Sequence, residues 1–188
     1  MESVTRILET IDRADPDLVA VGRPWYVTAA KWTQTAADTF GTDRATVAGI
    51  VAALSPRLKW AQNRAAAVAL LDTGRAPALA HNARRALAIM HGADPAEVLE
   101  PLEGGGDKLY GQKVAAFYRC LMDPWADAVA VDIWAARVAI PHAPKWHLDR
   151  HSRYTAAADA YRTAAGVLEW SPAETQAAAW VAVRGYAG

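Results

Sequence analysis

Two residues of this chain have the types and the setting for chemistry at an electrophilic carbon. Lys113 stands in Gln112-Lys113-Val114-Ala115-Ala116-Phe117-Tyr118, and Asp132 stands in Val129-Ala130-Val131-Asp132-Ile133-Trp134, 19 positions further on. A lysine amine attacks only in its neutral form, so such a role needs burial or a neighbouring positive charge to lower its pKa. Arg137, one turn beyond Asp132, is placed either to supply that charge or to pair with the aspartate. A carboxylate in reach of the reacting centre can stabilise a developing cation, or orient and deprotonate an incoming amine. Both residues also have an ordinary role. A lysine in a first helical turn is normally a solvated surface group, and an aspartate ahead of an apolar run is normally an N-cap.

The elements that must position this pair are helices. Val114, Phe117, Tyr118 and Leu121 recur at three- and four-residue steps, which predicts a helix from near Gln112 to just before Pro124, with Lys113 in its first turn. Asp132 opens the next helix, and Trp134 there, like Trp180 on the last helix, is expected on an apolar helix face. Val4, Ile7, Leu8 and Ile11 predict an amphipathic helix over residues 2–13 that ends before Asp15-Pro16, and Trp25, Tyr26, Ala29, Trp32 and Ala36 line another that runs towards Phe40-Gly41. Thr42 or Asp43 caps a third, whose residues 47–54 are apolar on nearly all sides and mark it as the core helix. Further helices are predicted around residues 60–71, from Asn82 and over 95–102. Pro141-His142-Ala143-Pro144-Lys145-Trp146-His147 is not expected to be regular helix, the next helix carries Tyr154, Ala158, Tyr161 and Ala165, and a last one starts at the capping box Ser171-Pro172-Ala173-Glu174. Glu103-Gly104-Gly105-Gly106-Asp107 reads as a flexible loop without the spacing of a dinucleotide site. The alternation that strands require is absent, so the expectation is an all-α single domain over residues 1–188.

Composition narrows the function classes. The 188 residues are 53% hydrophobic, enough for a substantial core. With 20 basic and 20 acidic residues there is no global electrostatic pull on nucleic acid, so any DNA contact has to come from local patches. A single cysteine, Cys120, excludes an internal disulfide and a four-cysteine iron–sulfur cluster, and its apolar neighbours predict a buried thiol in a reducing cytoplasm. No apolar run reaches membrane-spanning length, and Met1-Glu2-Ser3 lacks signal-peptide character. Of five histidines only His147 and His151 have a ligand-like i, i+4 spacing; without a glutamate motif beside them no metal and no cofactor is expected.

Leu109-Tyr110-Gly111-Gln112-Lys113-Val114-Ala115 followed by Val129-Ala130-Val131-Asp132 resembles the hairpin, "G-x-K-x-A" helix and "V-x-V-D" turn of the helix-hairpin-helix DNA glycosylase superfamily, over roughly residues 47–140. Asn82-Ala83-Arg84-Arg85-Ala86-Leu87-Ala88-Ile89 is similar to the superfamily's "N-x-K-A-x-x-I" helix, with arginine in place of lysine. The resemblance implies an all-α fold of that type and DNA as partner. It also implies catalysis in which Lys113 attacks the sugar C1′ while Asp132 supports the cation. Within it, Ser55-Pro56-Arg57 with Trp60 and Asn63 corresponds to the turn that enters the gap left by an extruded base. Trp134, Arg137, Gln176 and Trp180 are further candidate substrate contacts, and Trp25, Tyr26 or Trp60 could stack on the base. Gly111, Arg64 and the basic stretch with Lys145, Arg150 and Arg153 are candidate DNA contacts.

The hairpin keeps one glycine, Gly111, where the superfamily has two. In this the chain resembles compact phage-encoded members, which share Ala53-Leu54-Ser55-Pro56-Arg57, the Gly111-Gln112-Lys113 helix with Phe117-Tyr118, and Val131-Asp132-Ile133-Trp134-Ala135. That likeness implies an alternative chemistry: transfer of an amine or amino acid, as co-substrate, onto an activated 5-hydroxymethyluracil base. A DNA-binding module without chemistry is the non-enzymatic alternative. A monomer in the cytoplasm of a bacterium or phage-infected cell is expected in each case.

Overall fold

Helix α4 (Arg44–Leu54) is the centre of one of two helix clusters, and residues 47–54 are all buried. Asp43 caps it, accepting from the Thr46 amide at 2.8 Å. In the computed structural model, which describes residues 1–76 and 78–185 but not the side chain of Trp146, five helices lie against α4. These are α3 (Trp25–Phe40), α5 (Trp60–Thr73), α6 (Ala80–Met90), α7 (Pro95–Val98) and α8 (Gln112–Met122). Gly49 lets α7 come close: a Cβ there would stand 2.7 Å from Pro95 Cβ.

A second apolar cluster joins α1 (Glu2–Asp12), α9 (Ile133–Ala139), α10 (His151–Leu168) and α11 (Pro172–Arg184) around Ile7, Val131, Tyr154 and Tyr161. Helix α11 is the seam, giving Ala173 and Ala177 to the α4 cluster and Ala178 and Ala179 to the second. Buried phenols fix the extended segment that leads into α9. The Tyr154 hydroxyl donates to Val129 O at 2.8 Å and accepts from the Val131 amide at 3.2 Å. Among the described residues the fold is all-α apart from one short hairpin, and none of their helices is long and apolar enough to cross a membrane.

Five sequence expectations need correction. The helix expected over residues 95–102 ends at Val98 and Leu102 starts a strand instead, because Pro101 disfavours helical backbone at the residue before it. Asp15-Pro16, expected only to end α1, also starts α2 (Pro16–Gly22): Asp15 caps by accepting from the Asp17 amide at 2.9 Å, and proline takes the first turn, where no N–H is needed. The glycine run is no free loop. It is the tip of a hairpin in which β1 (Leu102–Glu103) pairs antiparallel with β2 (Leu109–Tyr110), Gly105 and Gly106 taking left-handed φ of 81° and 58°. Asp107 pins that tip to the start of α10, accepting from the Ser152 amide at 3.0 Å and its hydroxyl at 2.6 Å. The stretch after Pro141 contains a 3-10 helix, Lys145–Asp149. Trp134, expected on an apolar helix face, is 44% exposed.

Candidate active site

The site begins where α4 ends. The Ser55 amide turns back to Ala52 O at 3.2 Å, which leaves the Val51 carbonyl without its helical partner. Asn63, in the first turns of α5, fills that vacancy by donating from Nδ2 to Val51 O at 3.1 Å. A carbonyl can only accept, so this bond fixes which end of the amide is which. Asn63 Oδ1 is then left as a buried acceptor with no hydrogen-bond partner.

Asn63 lines a cleft of about 110 Å³ shared with residues from four other helices. Trp25 and Tyr26 come from α3, Lys113 and Phe117 from α8, Asp132 from the cap of α9, and Gln176, Trp180 and Arg184 from α11. Ser55, Leu58 and Trp60 complete the wall beside Asn63. The cleft is strongly aromatic: the Trp25 ring lies 4.9 Å from Tyr26, 5.2 Å from Trp60, 6.1 Å from Phe117 and 6.2 Å from Trp180, centroid to centroid.

Lys113 turns its amine inward, 3.4 Å from Ser55 Oγ and 5.4 Å from the Phe117 ring centroid. Burial pushes its pKa below the ordinary 10.5, against a smaller upward pull from the Asp132 carboxylate. Asp132 uses both oxygens. Oδ1 accepts from the Trp134 and Ala135 amides, each at 2.9 Å, and Oδ2 accepts from the Trp180 indole N–H at 2.9 Å. Tyr26, whose phenol burial holds well above its ordinary pKa, donates to Gln176 Oε1 at 2.8 Å and so fixes that amide too. Cys120 is set apart from this chemistry: its thiol donates to Ala128 O at 3.4 Å, and burial pushes its pKa up to about 12.

Of the residues singled out in the sequence, Ser55, Trp60, Asn63, Lys113, Asp132, Gln176 and Trp180 meet in this one cleft, as do Trp25 and Tyr26. Helices α3 and α11 close the space that α4, α5 and the residues from 113 onward leave open. Phe117 reads in the sequence only as core. Its signal is its place one turn beyond Lys113, whereas the Tyr26–Gln176 bond spans 150 positions and has no local signal.

The other candidates lie elsewhere. Arg57 is exposed in a left-handed turn at φ 69°. Trp134 and Arg137 face a separate groove, and Arg137 donates from Nε to Ala143 O at 3.3 Å instead of pairing with Asp132. Arg64 stands behind the cleft wall, 5.6 Å and 5.9 Å from the Trp60 and Trp32 ring centroids. Gly111, at φ 90°, is the N-cap of α8. Lys145 opens the 3-10 helix and Arg150 ends it, Arg150 forming a backbone bridge with Lys108, while Arg153 of α10 places Nη1 3.4 Å from His147 Nδ1. His151 is held 2.8 Å from Gln112 Oε1 and shares no metal-binding cluster among the described residues.

No curated protein and no solved structure matches this sequence. A family model matches residues 1–187, and the chain therefore belongs to the family described as "Family of unknown function (DUF7178)".

Proposed function

We propose that the protein is a DNA base-modifying enzyme, of the helix-hairpin-helix glycosylase type, that draws an extruded base into the aromatic cleft and acts on it with Lys113 and Asp132. One observation carries this reading: a desolvated amine and a carboxylate line the same cleft, yet each has its own partner, Ser55 for the amine and Trp180 for the carboxylate. An ion pair would quench both groups; held separately, they leave room for a reacting centre between them. The rings of Trp25, Trp60 and Trp180 suit the stacking of a planar base.

In this reading the neutral Lys113 amine attacks C1′ of the deoxyribose. The new N–C bond forms as the glycosidic bond breaks, and the base departs with the electron pair and takes up a proton. Ser55 Oγ orients the amine, and the Asp132 carboxylate stabilises the cationic sugar while the bond exchange is incomplete. Opening of the sugar ring leaves an imine between Lys113 and the former C1′.

The test is incubation with oligonucleotides that carry a panel of damaged and modified bases, in the presence of borohydride, followed by mass spectrometry of protein and DNA. A reduced protein–DNA adduct that forms with wild type and vanishes in Lys113→Ala is the expected result. A base that gains mass without an adduct would assign transfer chemistry to the same cleft. If no base is lost or altered across the panel, the enzymatic reading fails.

A further inference from the structure

A second groove, of about 440 Å³, lies along α1 and α9. It is lined by Arg6 of α1 and by Arg13, the C-cap of that helix, two turns apart, and by Trp134 and Arg137 of α9, which share a face at i, i+3. Val138 and Val183 add apolar lining. In a chain of zero net charge, three arginines around one exposed indole are a local concentration of positive charge.

These cations are available to an anion. Arg6 pairs with Glu2 at 2.9 Å and Arg13 with Glu9 at 3.3 Å, but both are solvent-exposed i, i+4 pairs, which contribute little and yield readily to a phosphate. Glu9 also lines the groove, with its carboxylate engaged by Arg13. The charged groups facing the groove thus carry a net excess of two positive charges.

The groove also adjoins the cleft. Arg184, which lines the cleft, holds its guanidinium 4.4 Å from the Trp180 ring centroid and 6.0 Å from that of Trp134. Trp180, Arg184 and Trp134 therefore form a ladder from the cleft to the groove.

We propose that this groove is a single-stranded nucleic-acid track, in which Trp134 stacks on a base and Arg137, Arg13 and Arg6 take successive phosphates. An exposed indole beside cations favours a polynucleotide over an acidic peptide, because every nucleotide brings both a π-face and a negative charge. The direction of the strand, towards the cleft, rests on the base-pocket reading; binding in the groove requires no chemistry.

The test uses the full chain and a fluorescein-labelled, mixed-sequence single strand of about 12 nucleotides, within the usual site size for such grooves. Arg6→Ala, Arg13→Ala and Arg137→Ala combined should weaken binding at low salt at least ~10-fold and flatten the log K against log salt slope by about 0.7 for each phosphate no longer neutralised. Arg137→Lys, which keeps the charge, should retain the slope. Binding should quench tryptophan fluorescence in wild type. It should do so far less in Trp134→Ala, and hardly at all in wild type when the strand is abasic. The proposal is overturned if the triple variant keeps affinity and slope, or if a polyglutamate peptide of equal charge binds as tightly with the same quench. Groove-dependent binding together with an unaltered base panel would sustain the track and sink the enzymatic reading, whereas base chemistry that survives in a triple variant of unchanged affinity would do the reverse.

Discussion

The indole N–H of Trp180 donates to Asp132 Oδ2 at 2.9 Å, tying the cap of α9 to a helix 48 positions away. With Oδ1 already taking two backbone amides, three donors converge on one carboxylate. Capping and facing the cleft are therefore one geometry.

Asp132→Asn follows from that convergence. An amide offers one acceptor oxygen, so whichever way it turns, its NH2 group meets at least one of the three donors. With only the cap in view, the expected cost is no more than about 1 kcal/mol. The added unpaired donor raises it to about 1–3 kcal/mol, readable by thermal or urea denaturation. Trp180→Phe in the same background removes the conflict and should restore part of the stability. Turnover on whichever base the panel identifies should drop by roughly a hundredfold or more. If the asparagine variant folds normally and keeps full activity, Asp132 is only a cap.

The Lys113 amine should leave a pH signature. Its folded-state pKa lies below the 10.5 of the free side chain, so between those values the unfolded chain holds a proton that the folded chain does not. Stability therefore rises with pH through that window, and the full penalty of the charged amine applies below it. Lys113→Met removes the group, so its advantage in melting temperature over wild type should be largest near neutrality and shrink towards pH 10.5. The activity of the wild type should rise with pH, with an inflection below 10.5. A stability difference independent of pH would mean that the amine stays solvated.

Asn63→Asp probes the hydrogen bond that orders the cleft floor. A carboxylate at this 2% exposed position would face the Val51 carbonyl, which cannot donate. The acid form can donate, so the new group's folded pKa should be raised above its unfolded ~3.9. Stability is then present at acid pH and lost as pH rises through the folded value. The deficit against wild type should be small near ~pH 4 and reach about 3 kcal/mol or more near ~pH 8. Asn63→Ala should show a deficit of similar size at both pH values, measured by the same denaturation curves.

Two glycine substitutions should act in opposite directions. Gly22 ends α2 against α11, where a Cβ would stand 2.9 Å from Ala178 Cα and 3.0 Å from Val181 Cβ. Gly22→Ala should cost about 1–3 kcal/mol and disturb the helix that carries Gln176, Trp180 and Arg184. Gly166, exposed on α10 with nothing within 4 Å of an added Cβ, should instead gain about 0.5–1 kcal/mol as alanine. Equal effects at the two positions would mean that α2 does not pack closely on α11.

The sequence by itself determined the helices whose local signals agree. The apolar run at residues 47–54, the Asp43 and Asp132 caps and the Ser171 capping box all act within a few residues, so spacing alone reveals them. It also determined that Lys113 opens one helix and Asp132 the next. What only the tertiary structure decided is which faces meet. Trp134 and Trp180 both occur in helical, apolar-flanked sequence, but packing turns Trp134 outward to a groove and Trp180 inward to the aspartate. Asp15-Pro16 ends one helix and starts another, because the same side chain that breaks a helix also caps one. Bonds such as Tyr26 to Gln176 and Asp107 to Ser152 join residues far apart in the chain, and no periodicity encodes them. They depend on how two helix clusters share α11, which is fixed by close packing of small side chains and not by the propensity of any single segment.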